Sequence, residues 1–356
     1  MKAKNKRPIR ILLSLFLLLF VWSCSDDYLI DLGAESLPGT GTWLIDESYI
    51  LWGCSGQDCI PNLTNPKMVS VSSPELSYLS DNDLVVGVKK GNDYFAFPHP
   101  ILDRHEVINM NDYSISYCPL TGSALHILDD RGYGVSGMLY NSNLIMYDKE
   151  SNSFWPQMLL RSASGKFRGE KLETERMVET TWGVWKKLFP ESQVVSSNTG
   201  IYKNYLVYPY GSYKTNNSIF FPINNVDDRL HSKTRVLGIL SNDEAKAYTI
   251  SDFDSVSVIH DDVGGKKIVI FGSSSDNIAV AYETDDHFTV KAYDLESGVI
   301  LFTDDETGSE WNIFGVAVAG SREGEILTTA NSFISFWFSW AAFYPETSIW
   351  IVDDNG

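Results

Sequence analysis

Five collinear pairs of short matches read this chain as two copies of one unit, and that constrains its fold more than any single motif. Val86-Gly87-Val88 recurs as Leu237-Gly238-Ile239, an offset of 238 − 87 = 151. Phe95-Ala96-Phe97 recurs as Lys246-Ala247-Tyr248, and Val107-Ile108-Asn109 as Val258-Ile259-His260, at the same offset. Asp148 to Trp155 (DKESNSFW) recurs as Asp304 to Trp311 (DDETGSEW), an offset of 304 − 148 = 156. The units close alike, with Trp182-Gly-Val-Trp185 and Pro190 against Trp337-Phe-Ser-Trp340 and Pro345. Such drift needs only short loop insertions.

The pattern inside each copy predicts an α+β, predominantly β fold: two tandem homologous repeats, each of antiparallel strands plus a short terminal helix. Strands are expected at 84–88 and 93–97, joined by a turn at 90–92, and at 114–117, 125–128 and 144–147. In the second copy, 267–271 and 288–293 read as strands. Pro100 suits a first helical turn, so a short helix is expected within 101–109. Each W-x-x-W puts two indoles on one helix face, with Pro190 and Pro345 marking the ends. These tryptophans read as core anchors. The repeated Asp-to-Trp segment reads as a tight turn followed by an indole plug.

The N-terminus reads as targeting. Lys2, Lys4, Lys6, Arg7 and Arg10 precede an apolar run from Ile11 to Trp22, too short to span a bilayer. Val21-Trp22-Ser23-Cys24 resembles a bacterial lipobox, which implies lipidation of Cys24 and anchoring to the cell envelope. Ser25-Asp26-Asp27 resembles the surface-export signal of lipoproteins in Bacteroidetes-type bacteria, which implies the outer membrane and an outward face. The expected organisation is a signal peptide at 1–23, a tether at 24–42, the first unit at 43–199, a connector at 200–235 and the second unit at 236–356.

Removing the signal takes away five positive charges, so the mature net charge is −18 − 5 = −23. So acidic a chain repels phosphate backbones, which excludes nucleic acid as a partner. A membrane partner is expected through the lipid; the small-molecule or protein partner stays open, and no cofactor is assigned. Cys54 and Cys59, in a glycine-flanked loop, are expected to pair in an oxidising compartment. Cys118 is then left over.

A residue needed by the scaffold should recur in both copies. Trp155/Trp311, Asp148/Asp304 and Trp182/Trp337 do. His105, Cys118, Asn141 and Asn143 do not: their counterparts fall at Val256, near Phe271, at Ser297 and at Val299. The stretch Arg104 to Leu125 (RHEVINMNDYSISYCPLTGSAL) therefore holds the candidate site. A thiol beside an imidazole is a nucleophile or redox centre, with Glu106 or an asparagine amide orienting the ring. The bland alternative makes Cys118 a small buried hydrophobe. A metal reading through His99, His105, Cys118 and His126 lacks any compact ligand spacing, so no metal is assigned. The Asp pairs, such as Asp129-Asp130 and Asp261-Asp262, read as solvated turns.

These segments together resemble a bacterial family of unknown function, DUF3179. The resemblance rests on IPNLTNP, HEVIN, YCPLTGSA, GVSGMLYNSNLIMYD, Arg235-Val-Leu-Gly and FWFSWAAFYP, and covers nearly all of 60–350. Relatives often carry Cys-Pro-Leu-Cys where Thr121 stands here, and Asn-Ser-Asp where this chain has Asn141-Ser142-Asn143. Three functions are compatible: a catalytic or redox thiol site, a ligand- or metal-binding site without turnover, and a surface interaction module.

Overall fold

The computed structural model describes residues 43–351. The signal peptide, Cys24 and the tether lie outside the described residues. Within them the chain is mostly β, arranged as six separate sheets, with three α-helices of seven residues each among shorter turns. The sheets are largely antiparallel. No helix among the described residues is long and apolar enough to cross a membrane.

In the first half a hairpin, Leu84–Lys90 and Asp93–Pro98, forms the centre of one sheet. Gly91, at φ 60°, makes its two-residue turn. Val178–Thr181 flanks one side and leads into helix α2, Trp182–Leu188. The chain crosses the sheet and returns as Gln193–Val195, parallel to the second hairpin strand. Arg235–Ser241 and Glu244–Thr249 form the corresponding hairpin in the second half. There Ser332–Phe336 leads into α3, Trp337–Phe343, and Ser348–Ile349 returns in parallel. The helix at the first half's hairpin exit is α1, His99–His105.

The W-x-x-W pattern has a physical cause in this crossover. Trp185 lies flat against Gly87, where an added Cβ would sit 1.9 Å from the ring; Trp340 lies on Gly238, where the figure is 2.0 Å. Only glycine lets the indole reach the strand backbone. Each indole N–H then donates to a hydroxyl seven residues on, Ser192 or Thr347, at 2.9 Å. The Asp-to-Trp segment works similarly. Asp148 accepts from the Ser151 amide and turns its carboxylate onto the Trp155 indole at 2.9 Å. Asp304 does the same with Thr307 and Trp311 at 2.8 Å.

Two expectations need correction. Helix α1 stops at His105, and Val107–Asn109 is a strand paired with Ser114–Cys118. The eight-residue strand Tyr133–Tyr140 was not expected; every residue of it is buried, so it has no polar alternation to reveal it.

Among the described residues no sheet joins the halves, yet they share their cores. One cluster gathers Trp155 and Met158 of the first half, Tyr213 of the connector, and Phe336 and Trp340 of the second. Another packs Trp185 and Val194 with Phe271 and Trp311. The Phe336 amide donates to the Thr121 carbonyl at 2.7 Å across this boundary. Arg235, at the start of the second half, pairs with the fully buried Glu179 of the first, which also receives His99 Nε2 at 2.9 Å. The segment 200–234 contains one short 3-10 turn, Tyr213–Thr215, and no strand.

Candidate functional site

Helix α1 ends on Glu106, whose φ of 56° and ψ of −31° are unusual for a residue with a side chain. The Glu106 amide closes the helix onto the Leu102 carbonyl at 2.8 Å, and its own carbonyl receives the Tyr117 amide at 2.7 Å. This kink places His105 on one side of the backbone and aims Glu106 toward the strand that ends at Cys118.

His105 is sealed, and both ring nitrogens are taken. Nδ1 lies 2.7 Å from the Pro61 carbonyl, which can only accept, so Nδ1 carries the proton. Nε2 therefore accepts from the Tyr205 hydroxyl at 2.7 Å. Burial, chiefly, holds the imidazole below its usual pKa. Cys118 is 1% exposed and its thiol points to the Ser142 carbonyl at 3.8 Å. Burial first, and then the Glu106 carboxylate, push the thiol up to about 11. The expected thiol-imidazole pair is thus corrected: the ring is committed to Pro61 and Tyr205, and the thiol is neutral at physiological pH.

Glu106 itself is buried, and burial followed by repulsion from Asp103 raises it to about 8. Its carboxyl has no hydrogen-bond partner among the described residues, so it does not orient the imidazole. Burial also raises Asp103, to about 6, against the pull of Lys214 at 3.2 Å. At neutral pH Glu106 and Cys118 thus hold their protons, while Asp103 is ionised against Lys214.

Asn141 and Ser142 are the left-handed pair of a two-residue hairpin turn, at φ 51° and 64°. Asn141 Oδ1 accepts from the Asn224 amide at 2.9 Å, and the Ser142 hydroxyl donates to the Phe221 carbonyl at 2.8 Å. Asn143 faces the other way. Its amide donates to Thr121 Oγ1 and Gln157 Oε1, both at 2.9 Å, and its oxygen accepts from the Met158 amide at 3.0 Å. Asn143 is a saturated core residue with no group free for chemistry.

Most of these side chains share one task. His105 meets Tyr205, Asn141 meets Asn224, Ser142 meets Phe221 and Asp103 meets Lys214; all four partners belong to the connector. The connector adds Tyr208 and Tyr213, whose hydroxyls donate to the Pro119 and Leu120 carbonyls at 3.3 and 3.0 Å. These fasteners all lie in the half that precedes the connector. Strand register also shifts one correspondence: Cys118 pairs with Ser123 as Ser273 pairs with Ile278, so its counterpart is Ser273 and not Phe271.

Cys54 and Cys59 are disulfide-bonded. The histidines of the metal reading are dispersed, with His99 on Glu179, His105 on Pro61 and His126 on the Arg176 carbonyl. No group of three or more ligand residues suited to a metal occurs among the described residues. Sequence reasoning missed Asp103, Glu179 and Lys214. The nearest signal was Arg235, singled out in a motif without a partner to explain it.

A family model described as "Protein of unknown function (DUF3179)" matches residues 57–347. Neither the curated proteins nor the solved structures contain a match to this chain.

Proposed function

The chain belongs to the DUF3179 family, and we propose that it is a lipid-anchored cell-envelope protein that binds a ligand or partner without turning it over. Cys24 carries the lipid and 24–42 is the tether. The body consists of two copies of one β unit, the first specialised to hold the connector. The same order of strands in both halves, and the Trp-on-Gly and Asp-to-Trp devices at matching places, support this duplication.

The observation that carries the non-catalytic reading is the state of Cys118: buried, neutral and without an imidazole. A nucleophilic or redox thiol needs thiolate character and access. Iodoacetamide treatment of the native protein at neutral pH tests this. Cys118 is expected to stay unmodified until the chain is denatured; modification at the unfolded rate would overturn the reading. The anchor is tested separately by Cys24→Ser, which should move the protein from the membrane fraction to the soluble one.

One observation favours a second reading. Glu106 combines a buried carboxyl, raised by burial to about 8, with a strained backbone, a pairing that often marks a working acid. In that reading Glu106, Asp103 and Cys118 form an enclosed proton-transfer site reached when the connector lifts.

A further inference from the structure

A cleft of about 470 Å³ opens where the two halves meet, lined by the chain segments 159–174 and 240–245 and by Tyr344. Its size falls in the range of small-ligand sites, roughly 300–1,000 Å³, and junctions between packed units are a usual place for them. Leu160, Leu172 and Leu240 supply an apolar floor. Leu160 holds a left-handed conformation, φ 54° and ψ 31°, which branched apolar residues seldom adopt.

The walls carry opposite charge. Arg161 and Lys171, exposed neighbours across a single β-bridge, line the first-half side. Asp243, on the hairpin turn after Arg235–Ser241, and Glu244, which opens the next strand, line the other. Among the described residues neither cation is within ion-pair distance of these carboxylates, and the Glu244 carboxylate accepts only from the Gly264 amide, at 3.1 Å, so no opposite charge neutralises either wall. Arg161 and Lys171 are not scaffold requirements either. The corresponding bridge in the second half joins Val316 and Ile326, both apolar.

We propose that this cleft binds a short apolar peptide with both ends free. The peptide carboxylate lies against Arg161 and Lys171, its ammonium against Asp243 and Glu244, and its side chains on the leucine floor. The assignment rests on the reading of the chain as a binding protein and supplies the ligand class that reading leaves open.

The test is calorimetric titration of the purified full chain with trileucine, N-acetyl-trileucine and trileucine amide. Trileucine should bind saturably, and blocking either end should weaken binding roughly 5- to 10-fold, as expected for losing one partly solvated charge contact. The double substitution Arg161→Ala, Lys171→Ala should make acid and amide bind alike. Asp243→Asn with Glu244→Gln should do the same for the free and acetylated amine. These positions are exposed, so unchanged melting temperatures would confirm folded variants. No saturable binding, or binding indifferent to both blocks and both double substitutions, overturns the proposal. If that happens while Cys118 resists iodoacetamide, the peptide assignment fails and the binding-protein reading stands; a readily alkylated Cys118 removes the reading itself.

Discussion

At about 8, the Glu106 carboxyl is protonated in the native chain at neutral pH, whereas in the unfolded chain it titrates near 4.5. Between those values the native state binds more protons, so stability falls as pH rises. Asp103 acts in the same direction only up to about 6. His99 and His126, held below 6.5 by burial, act oppositely but only below 6.5. The interval from pH 6.5 to about 7.5 is therefore dominated by Glu106; above it Lys233, lowered by burial to about 8, acts oppositely. Urea unfolding should show stability declining across that interval, and Glu106→Gln should flatten the decline; an unchanged slope in the variant would refute the assignment. At this scale the sequence drew attention to the stretch from Arg104 to Leu125 through residues without counterparts. His105 and Asn141 stood out because one copy lacks them, but contact with a connector of little regular structure cannot be read from spacing. Glu106 or an asparagine amide is the ring-orienting group the sequence suggests, and the kink that turns Glu106 away is a backbone event without a sequence signature.

The repeated devices were legible at the level of elements because each is local. W-x-x-W, the following proline and the Asp-to-Trp turn lie within about two helical turns of chain. Their partners Gly87 and Gly238 are remote, and they surfaced only as part of a matched triplet. Gly87→Ala and Gly238→Ala should each destabilise by about 3 kcal/mol, because a methyl cannot coexist with the overlying indole unless the helix shifts. Similar losses at both sites in chemical denaturation are expected; a neutral substitution at either would mean that the Trp-on-Gly contact is not what seats the helix. The strand Tyr133–Tyr140 shows the converse. Buried on both faces, it has no period of two, and its length in sequence resembles any apolar run.

Across the whole molecule the two halves are not independent bodies. Core clusters draw side chains from both halves, and Arg235 reaches a carboxylate that is 1% exposed in the other half. Removing one partner of such a pair leaves the other buried and uncompensated, so Glu179→Gln or Arg235→Met should cost about 3–5 kcal/mol. Fluorescence and circular dichroism should report one coincident unfolding transition; two separated transitions would show that the halves fold alone. The connector belongs to this scale as well. It closes over the first half through His105, Asn141, Ser142 and Asp103, and its tyrosines lie over the turn that bears Cys118. The most direct test of that arrangement is the native alkylation rate of Cys118 in the parent chain beside a Tyr205→Phe, Asn141→Ala, Lys214→Ala variant. The parent thiol should be silent and the variant thiol should react while the protein remains folded. A parent thiol that reacts freely, or a variant thiol that stays as silent as the parent, would contradict the account of these residues as fasteners of a sealing connector.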